Sequence, residues 1–342
     1  MPRVSLITAT YNEMDTINQK IENIANIDYP KDLLEIVFVD ASTDNTVQII
    51  EDFKLKTPLR VLVLKEKTRR GLASALNSGY ALGKGEIIIK NDCDLILEKD
   101  SIKEIVKYFS DPRIGAVSGA VSVSNQCDVE KGYRSIYDRL RVAEANLDST
   151  YIFNTFCAFR KNLIEPIDTK SVADDAELAL KIRKKGYRIV FCPEAIAYEA
   201  SPTTIRERIN QKSRRAQGQI KLIFQNLKFL FNPRFGKFGL VVFPANFFMM
   251  ILSPWLFLAI AVLGVLYLST IFGFLFALLM FAAVASLGLL VYLKAKPRIL
   301  AGFLDAQLNL IIGALKLVAK GPDYIWAKET CAREIGSSEG EC

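Results

Sequence analysis

Residues 238–293 contain no aspartate, glutamate, lysine or arginine, and this stretch constrains the fold more than any other feature. Because a helix rises about 1.5 Å per residue and the hydrocarbon core of a bilayer is about 30 Å thick, the stretch is long enough for two membrane-spanning helices. We expect them at Pro254–Leu268 with its flanks and at Thr270–Leu293. The preceding segment Phe238–Ser253, which contains Pro244, is expected to be interfacial, re-entrant or part of a long first span.

A third apolar segment, Ile299–Val318, differs from the first two because it carries polar side chains. These are Asp305, Gln307, Asn309 and Lys316. Such groups are costly in lipid unless they face protein or water, so the segment is expected to be either a third span or an interfacial helix. We therefore place a membrane region of two to three spans at 238–320 and a polar C-terminal tail at 321–342.

Positive charge is concentrated just before the apolar stretch. Residues 206–237 contain nine lysines or arginines and a single acid, Glu207, and the loop Lys294–Arg298 is also basic. Cytoplasmic segments beside membrane spans carry this excess, which also attracts anionic lipid. The net charge of +7 is therefore assigned to a membrane-facing collar and not to nucleic-acid binding. Because the first apolar run is too short for a signal peptide, we expect an integral plasma-membrane protein with its N-terminal domain in the cytosol.

Ahead of the membrane region, short apolar runs alternate with helical stretches. The predicted strands are Val4–Thr8, Ile36–Val39, Val61–Leu64 and Ile87–Ile89, and the predicted helices are Thr16–Ile27, Asn45–Lys54 and Leu72–Leu82. The strands are almost continuously apolar, as expected when both faces of a sheet are covered. Residues 1–200 are therefore expected to form an α/β domain with a mainly parallel sheet and helices on both faces, followed by a basic amphipathic region at 201–237.

Polar motifs follow three of these strands, at the edge where parallel α/β sheets bind their ligands. Thr10-Tyr11-Asn12-Glu13 follows the first strand, Asp40-Ala41-Ser42-Thr43-Asp44 the second and Asp92-Cys93-Asp94 the fourth. The last motif places two carboxylates at a strand tip, where they suit Mg²⁺ or Mn²⁺ bound together with substrate phosphates. A plain strand-end turn, in which aspartate is common, is the alternative interpretation.

Composition excludes several classes of site. The chain has no histidine, which removes Ser-His-Asp hydrolysis and His-ligated zinc. Its six cysteines form no Cys-x-x-Cys pair and are expected to be reduced thiols of a cytosolic compartment. A calcium-binding EF-hand at Asp40–Glu51 is disfavoured because Asn45 stands where glycine is needed. A phosphatase nucleophile at Asp92 is disfavoured because Leu95-Ile96 follows where that class has threonine.

Two further polar clusters lie toward the end of the soluble part. The acidic segment Asp174–Glu177 begins an amphipathic helix, where acids can cap the helix and compensate its dipole or can serve chemistry. After a strand at Tyr187–Cys192, a helix beginning near Pro202 carries Gln211-Lys212-Ser213-Arg214-Arg215. Arginines there can bind a diphosphate by bidentate contacts or reach lipid headgroups.

In this order, the motifs resemble those of the inverting family-2 glycosyltransferases of GT-A fold. The resemblance is to the membrane-anchored branch, which includes the cellulose, hyaluronan and chitin synthases and many lipid- or polysaccharide-directed transferases. It covers most of residues 3–235 and also includes Gly71–Gly79 and Gly85–Ile88. Each motif is weak alone, and their occurrence together in the family's order is specific.

The resemblance implies a role for each motif. The residues that would hold a nucleoside diphosphate sugar, usually a uridine derivative, are Thr10, Tyr11, Glu13, Asp40, Asp92, Gln211, Arg214 and Arg215. Asp92 and Asp94 would bind Mg²⁺ or Mn²⁺ at the diphosphate, with Asp94 as the main ligand. Asp175 would be the base that deprotonates the acceptor hydroxyl, and Gln211 and the arginines would close over the diphosphate.

Three departures from the family pattern bear on the acceptor. Arg215 replaces the tryptophan that lies against the acceptor sugar in polymerising synthases, Asn154–Arg160 stands where many relatives are glycine-rich, and Ala173-Asp174 replaces Thr-Glu before the expected base. We therefore expect inverting, metal-dependent addition of sugar to a lipid-linked or membrane-proximal glycan acceptor. The alternatives are a processive polysaccharide synthase and a catalytically silent nucleotide-sugar-binding membrane subunit.

Overall fold

An eight-stranded sheet forms the centre of the N-terminal part of the chain in the computed structural model, which describes residues 1–124, 128–202, 204–294 and 298–321. The expected polar tail lies outside the described residues, apart from Gly321. Cys127, Cys331 and Cys342 also lie outside them, as do Thr203 and positions 295–297 of the basic loop. The three described cysteines, Cys93, Cys157 and Cys192, are buried free thiols.

The elements follow one another as βα units and then as helices. The strands are β1 (Val4–Thr10), β2 (Leu34–Asp40), β3 (Arg60–Lys65), β4 (Ile87–Lys90), β5 (Ile96–Leu97), β6 (Ile114–Val123), β7 (Cys157–Arg160) and β8 (Arg188–Glu199). The α-helices are α1 (Ile17–Ala25), α2 (Thr46–Lys56), α3 (Leu72–Leu82), α4 (Ser101–Lys107), α5 (Asp128–Leu147), α6 (Asp174–Lys184), α7 (Ile205–Gln225), α8 (Phe243–Phe247), α9 (Ser253–Phe272), α10 (Phe274–Lys294) and α11 (Arg298–Lys320).

The first half of the sheet is parallel and matches the predicted strands and helices. Its order is β3-β2-β1-β4, and every residue of β2 and β4 is buried. The register places Thr10 opposite Asp40 and Ile7 opposite Lys90, so the polar ends of these strands meet at one edge. Burial on both faces explains why β2 and β4 are almost continuously apolar rather than alternating.

The second half of the sheet is mixed. β7 lies antiparallel between β4 and β6, β8 runs parallel to β6, and β5 closes the edge antiparallel to β8. Four of the seven pairings are parallel and three are antiparallel. The predicted α/β fold with a mainly parallel sheet is therefore confirmed, with an antiparallel insertion. Because β6 and β8 are parallel, Val123 and Glu199 lie side by side at their carboxyl ends.

The apolar C-terminal region begins on the soluble domain and then leaves it. Residues 238–252 continue as helix with two wider π-helical turns, and they bury Phe238, Phe243 and Met250 in the same hydrophobic core as side chains of β7 and α6. In α9 and α10 the apolar side chains are instead exposed, as at Ile260. The described residues include two helical segments long and apolar enough to cross a membrane, at 238–272 and 300–320.

The boundary between α9 and α10 differs slightly from the sequence expectation. We expected a break near Thr270, but Ser269 and Thr270 donate their hydroxyls to the carbonyls of Leu266 and Tyr267 at 2.6 and 2.7 Å and stay within the helix. The chain turns instead at Gly273, whose φ of 84° lies in the left-handed region that glycine tolerates.

The third apolar segment, α11, lies against the soluble domain. Its polar residues Asp305, Gln307 and Asn309 are buried. Asp305 accepts a hydrogen bond from Lys212 of α7 at 2.7 Å. The two helices approach closely, since a side chain at Gly313 would meet Ala216 Cβ at 2.7 Å. The polar residues of this segment therefore face protein, which is the condition that makes them tolerable in an apolar helix.

Candidate active site

A cleft opens at the carboxyl edge of the parallel strands. It brings together residues from the loops after β1, β3 and β4 and from α7. Eight of the residues that are expected to bind the nucleotide sugar or the metal line this cleft. They are Thr10, Tyr11, Glu13, Asp92, Asp94, Gln211, Arg214 and Arg215. The cleft therefore unites eight side chains that are spread over more than 200 residues of sequence.

Local hydrogen bonds explain how the first two loops hold their shape. Asn12 has a φ of 54°, which turns the chain sharply after β1. Its amide oxygen accepts from the backbone N–H of Thr43 at 2.8 Å, and its own N–H donates to Ser42 Oγ at 2.7 Å. Glu13 N–H donates to Thr46 Oγ1 at 2.9 Å. These bonds lock the loop after β1 to the loop after β2.

Asp40 supports the cleft without lining it. Its carboxylate is only 1% exposed and accepts from Thr10 Oγ1 at 2.5 Å and from the hydroxyl and N–H of Ser42 at 2.7 and 2.8 Å. Its neighbours Val39 and Ala41 do border the cleft. In this structure Asp40 thus fixes the two loops, and its contact with a nucleoside remains a prediction.

Three cleft residues from the loop after β3 were not expected from the sequence. Glu66, Arg69 and Arg70 all line the cleft. The Arg69 guanidinium lies 4.1 Å from the centre of the Tyr11 ring, an arrangement that favours a cation over an aromatic face. Arg70 forms an ion pair with Glu66. The sequence feature that indicates these residues is a polar loop with two adjacent arginines, Lys67-Thr68-Arg69-Arg70.

Asp92 and Asp94 lie on the short loop after β4. Burial raises the pKa of Asp92 to about 7, and the negative charges of Asp94 and Glu199 add to this, although Lys90 acts in the opposite direction. A carboxyl group with this pKa holds a proton readily in the absence of a cation. A cation bound at this loop would therefore be stabilised by the nearby carboxylates.

Asp175 borders a second cavity that adjoins the cleft. This cavity shares Leu72, Asp92, Glu199, Arg214 and Arg215 with the first. Asp175 is the second residue of α6, and its Oδ1 accepts the N–H of Ala176 at 2.7 Å. Burial raises its pKa, while the positive charge of Lys90 lowers it. Asp175 and Asp92 thus face one cavity, and no helix of the described chain separates them.

Lys90 is a further residue that the sequence analysis did not single out. It ends β4 and is 1% exposed. Its ammonium lies 2.6 Å from Asp174 Oδ2 and 3.9 Å from Asp92 Oδ1. Burial would lower the pKa of Lys90, but the two aspartates raise it well above its usual value, so the group is charged. The sequence feature that indicates this position is a lysine directly after the apolar run Ile87-Ile88-Ile89.

Comparison with known proteins identifies the family. The model for Glycosyl transferase family 2 matches residues 5–168, and that for Glycosyl transferase family group 2 matches residues 87–293. The chain belongs to glycosyltransferase family 2. This confirms the resemblance drawn from the strand-end motifs and makes the cleft the candidate active site of a family-2 glycosyltransferase.

Two curated bacterial proteins are similar to this family-2 glycosyltransferase. It is 31% identical over 251 residues to "Probable glycosyltransferase YdaM" of Bacillus subtilis, covering 67% of this chain and 57% of that protein. It is 26% identical over 233 residues to poly-beta-1,6-N-acetyl-D-glucosamine synthase of Staphylococcus epidermidis, covering 65% of this chain and 56% of the synthase. The chain thus spans little more than half the length of these relatives.

A solved relative confirms the fold. The mannosyltransferase PcManGT from Pyrobaculum calidifontis, in complex with GDP-Man and Mn²⁺, is 31% identical in sequence. The TM-score is 0.79, and the match covers 93% of this chain and 87% of PcManGT. The family-2 glycosyltransferase described here therefore has the expected GT-A architecture, together with apolar C-terminal helices.

Proposed function

We propose that this protein is a membrane-anchored, metal-dependent, inverting glycosyltransferase that transfers sugar from a nucleoside diphosphate sugar to a lipid-linked or membrane-proximal glycan acceptor. One observation carries the proposal. Asp92 borders both the cleft with the nucleotide-side residues and the cavity with Asp175. Donor and acceptor sites that share this wall would bring the sugar and the attacking hydroxyl together.

The donor set of the cleft fits Mg²⁺ or Mn²⁺. Asp92 and Asp94 offer two carboxylates on one loop, and among the described residues no three Asp, Glu or Cys side chains form a ready-made cage. This suits an ion that takes its remaining ligands from water and substrate phosphates. The presence of Mn²⁺ in PcManGT supports the same choice. When bound, such an ion would neutralise negative charge on the departing diphosphate.

The protein's own groups suffice for the rest of the displacement. Asp175 would take the proton of the acceptor hydroxyl. The hydroxyl oxygen would then bond to the anomeric carbon of the sugar while the bond from that carbon to the diphosphate breaks. A carboxylate with a raised pKa is a better base for this step. Gln211 and Arg214 would hold the negative charge that the leaving group gains.

The membrane assignment rests on exposed apolar helices next to basic ones. In α9, Ile260 is 70% and Leu263 is 63% exposed. An apolar surface of this length is rarely exposed to water in soluble proteins. These side chains would lie in the hydrocarbon core, with the basic region 206–237 at the cytosolic headgroups. Met250, at the start of this apolar region, also lines the cavity of Asp175. An acceptor held there would sit beside the bilayer.

A donor screen tests the proposed function. Purified protein in detergent would be incubated with a panel of UDP- and GDP-sugars, Mn²⁺ or Mg²⁺ and a membrane lipid extract, and released nucleoside diphosphate would be measured. Both nucleotides are needed because the family resemblance favours uridine whereas PcManGT holds GDP-Man. Metal-dependent release from one donor, with sugar recovered in the lipid fraction, is the expected result. Absence of release from every donor would reject the proposal.

Product length separates single addition from processive synthesis. The similarity to the poly-beta-1,6-N-acetyl-D-glucosamine synthase favours a polymer. Arg215, in place of the tryptophan that lies against acceptor sugar in polymerising synthases, favours discrete addition. Mass spectrometry of the lipid fraction would show one added sugar in the first minutes under our proposal and long chains under the alternative.

A further inference from the structure

Glu199 connects two arginines at the boundary between the cleft and the cavity of Asp175. It is the last residue of β8, is 7% exposed and lines both spaces. Its Oε1 accepts from Arg215 Nη2 of α7 at 3.2 Å, and its Oε2 accepts from Arg134 Nη2 of α5 at 2.9 Å. The carboxylate therefore joins two helices across the end of the sheet.

The two ends of this bridge differ in exposure. Arg134 also donates from Nη1 to the carbonyl of Val121 in β6 at 2.7 Å, and its side chain is 13% exposed. The Arg215 side chain is 42% exposed and lines both spaces. Arg134 is thus hydrogen-bonded to the sheet and borders only the cavity of Asp175, whereas the more exposed Arg215 borders both the cleft and that cavity. The carboxylate of Glu199 transmits the fixed position to the accessible guanidinium.

We propose that Glu199 is a positioning residue that holds Arg215 at the point where the diphosphate departs and the acceptor enters. The inference rests on the proposed function and adds a residue to it. A free arginine side chain loses rotamer entropy when it binds a ligand, so a guanidinium that is already held loses less. Donors fixed before reaction stabilise a developing negative charge better than mobile ones.

The charges favour positioning over simple attraction. Glu199 is itself negative and lies close enough to Asp92 to add to the rise in its pKa that burial causes. A carboxylate so placed would repel a diphosphate if it acted alone. Held between Arg134 and Arg215, it is part of a group of net positive charge. Removing Glu199 should therefore lower kcat if the residue positions Arg215, whereas it should strengthen diphosphate binding if the residue acts only by repulsion.

A double-mutant cycle distinguishes them. The variants are Glu199→Gln, Arg215→Gln and the combination, with Glu194→Gln as control, because Glu194 is an exposed carboxylate on the same strand outside both spaces. The readouts are kcat and KM for donor turnover and the Kd of nucleoside diphosphate with Mn²⁺ by calorimetry. We expect each single variant to lose about 10-fold or more in kcat, the pair to lose no more than the larger single loss, and the control to match wild type.

Several outcomes would overturn the proposal. Losses that multiply in the double variant would show that the two residues act independently, and tighter diphosphate binding with unchanged kcat in Glu199→Gln would show simple repulsion. An equal loss in Glu194→Gln would show damage to β8. If Glu199→Gln does not fold, Arg134→Gln with Arg215→Gln forms the same cycle from the other end of the bridge, with the same expected non-additivity.

The test also separates this proposal from the proposed function. Wild-type turnover with multiplicative losses would reject the bridge and leave the transferase assignment intact. Wild-type protein that turns over no donor, yet shows coupled losses in the Kd of nucleoside diphosphate with Mn²⁺, would reject the transferase assignment and support the bridge.

Discussion

The ammonium group of Lys90 lies 2.6 Å from the carboxylate of Asp174, and both side chains are almost completely buried. Lys90 ends β4 and Asp174 begins α6, so the pair fixes the start of the helix that carries Asp175 beside the loop that carries Asp92. A buried charge left without its partner is strongly destabilising, typically by about 3–5 kcal/mol. This relationship yields the first prediction.

Replacing Lys90 with methionine should lower the free energy of unfolding by about 3–5 kcal/mol, because the Asp174 carboxylate would remain buried and unpaired. Urea unfolding in detergent, followed by fluorescence, measures the change. The double variant Lys90→Met/Asp174→Leu should recover most of the stability, since neither charge remains. A single variant as stable as wild type would contradict the importance of the pair.

Asp175→Asn should abolish sugar transfer while nucleotide binding persists. The amide cannot accept the acceptor's proton, and loss of a general base typically costs about 10²–10⁴-fold in rate. Turnover and the Kd of nucleoside diphosphate with Mn²⁺ are the two measurements. Asp168→Asn serves as control, because Asp168 precedes the same helix but lines neither the cleft nor the adjoining cavity.

Comparison of wild type with Asp175→Asn also addresses a catalytically silent subunit. Such a protein would bind nucleotide equally well with aspartate or asparagine at this position, and it would release no sugar in either form. Equal, measurable turnover in wild type and Asp175→Asn would instead refute Asp175 as the base and leave the transferase activity standing.

Sequence patterns predicted the parallel half of the fold well because its signals are local. Continuous apolar runs identify β1, β2 and β4, and the polar residues that follow each run necessarily share an edge of the sheet. The register that pairs Thr10 with Asp40 then explains why the Asp40 carboxylate accepts hydrogen bonds from the loops and does not line the cleft. That detail depends on hydrogen-bond partners 30 residues away, which motif position does not reveal.

Two further residues that were not singled out from the sequence, Lys90 and Glu199, have a different origin. Lys90 and Glu199 acquire their partners only through tertiary structure, with Asp174 lying 84 residues from Lys90 and Arg134 65 residues from Glu199. Antiparallel β7, inserted between β4 and β6, brings these distant segments to one edge. A single acid or base in an apolar strand marks a position that needs a partner, but does not identify the partner.

Manganese binding should strengthen as the pH rises toward about 7 and then level off. The pKa of Asp92 is raised to about 7 by burial, so below that pH the carboxyl group is protonated and a cation must displace the proton. We expect affinity at pH 6 to be about tenfold below its plateau, one pKa unit corresponding to a factor of ten. Titration of Mn²⁺ followed by electron paramagnetic resonance, without nucleotide, measures this.

The matched variant is Asp92→Asn, which should bind Mn²⁺ more weakly and lose most of the pH dependence between about 6 and 8. Nucleotide is omitted because a terminal phosphate titrates near pH 6 and would obscure the carboxyl group. A wild-type profile that is flat over the same range would show that the proton and the metal do not compete at Asp92.

Asp305 of α11 provides the last prediction, because it ties the apolar C-terminal region to α7, the helix that carries Gln211 and Arg214. The carboxylate is fully buried and lies 2.7 Å from Lys212 Nζ and 3.6 Å from Arg208 Nε. Residues 208 and 212 lie one turn apart on α7, and the stripe of Gln211 and Arg214 on the same helix faces the cleft. Asp305→Asn should destabilise the protein by about 3–5 kcal/mol, because Arg208 and Lys212 would lose the buried negative charge of Asp305.

The same substitution should weaken binding of nucleoside diphosphate, because a displaced α7 no longer presents Gln211 and Arg214 to the cleft. Thermal unfolding and calorimetry on one detergent preparation measure both effects. Lys316→Met is the matched control, since Lys316 joins the same two helices through a part-buried hydrogen bond to Ser213 Oγ at 3.0 Å, and it should change stability by about 1.5–3 kcal/mol, less than Asp305→Asn does. Wild-type nucleotide affinity in a destabilised Asp305→Asn protein would show that α11 supports the fold without orienting Gln211 and Arg214.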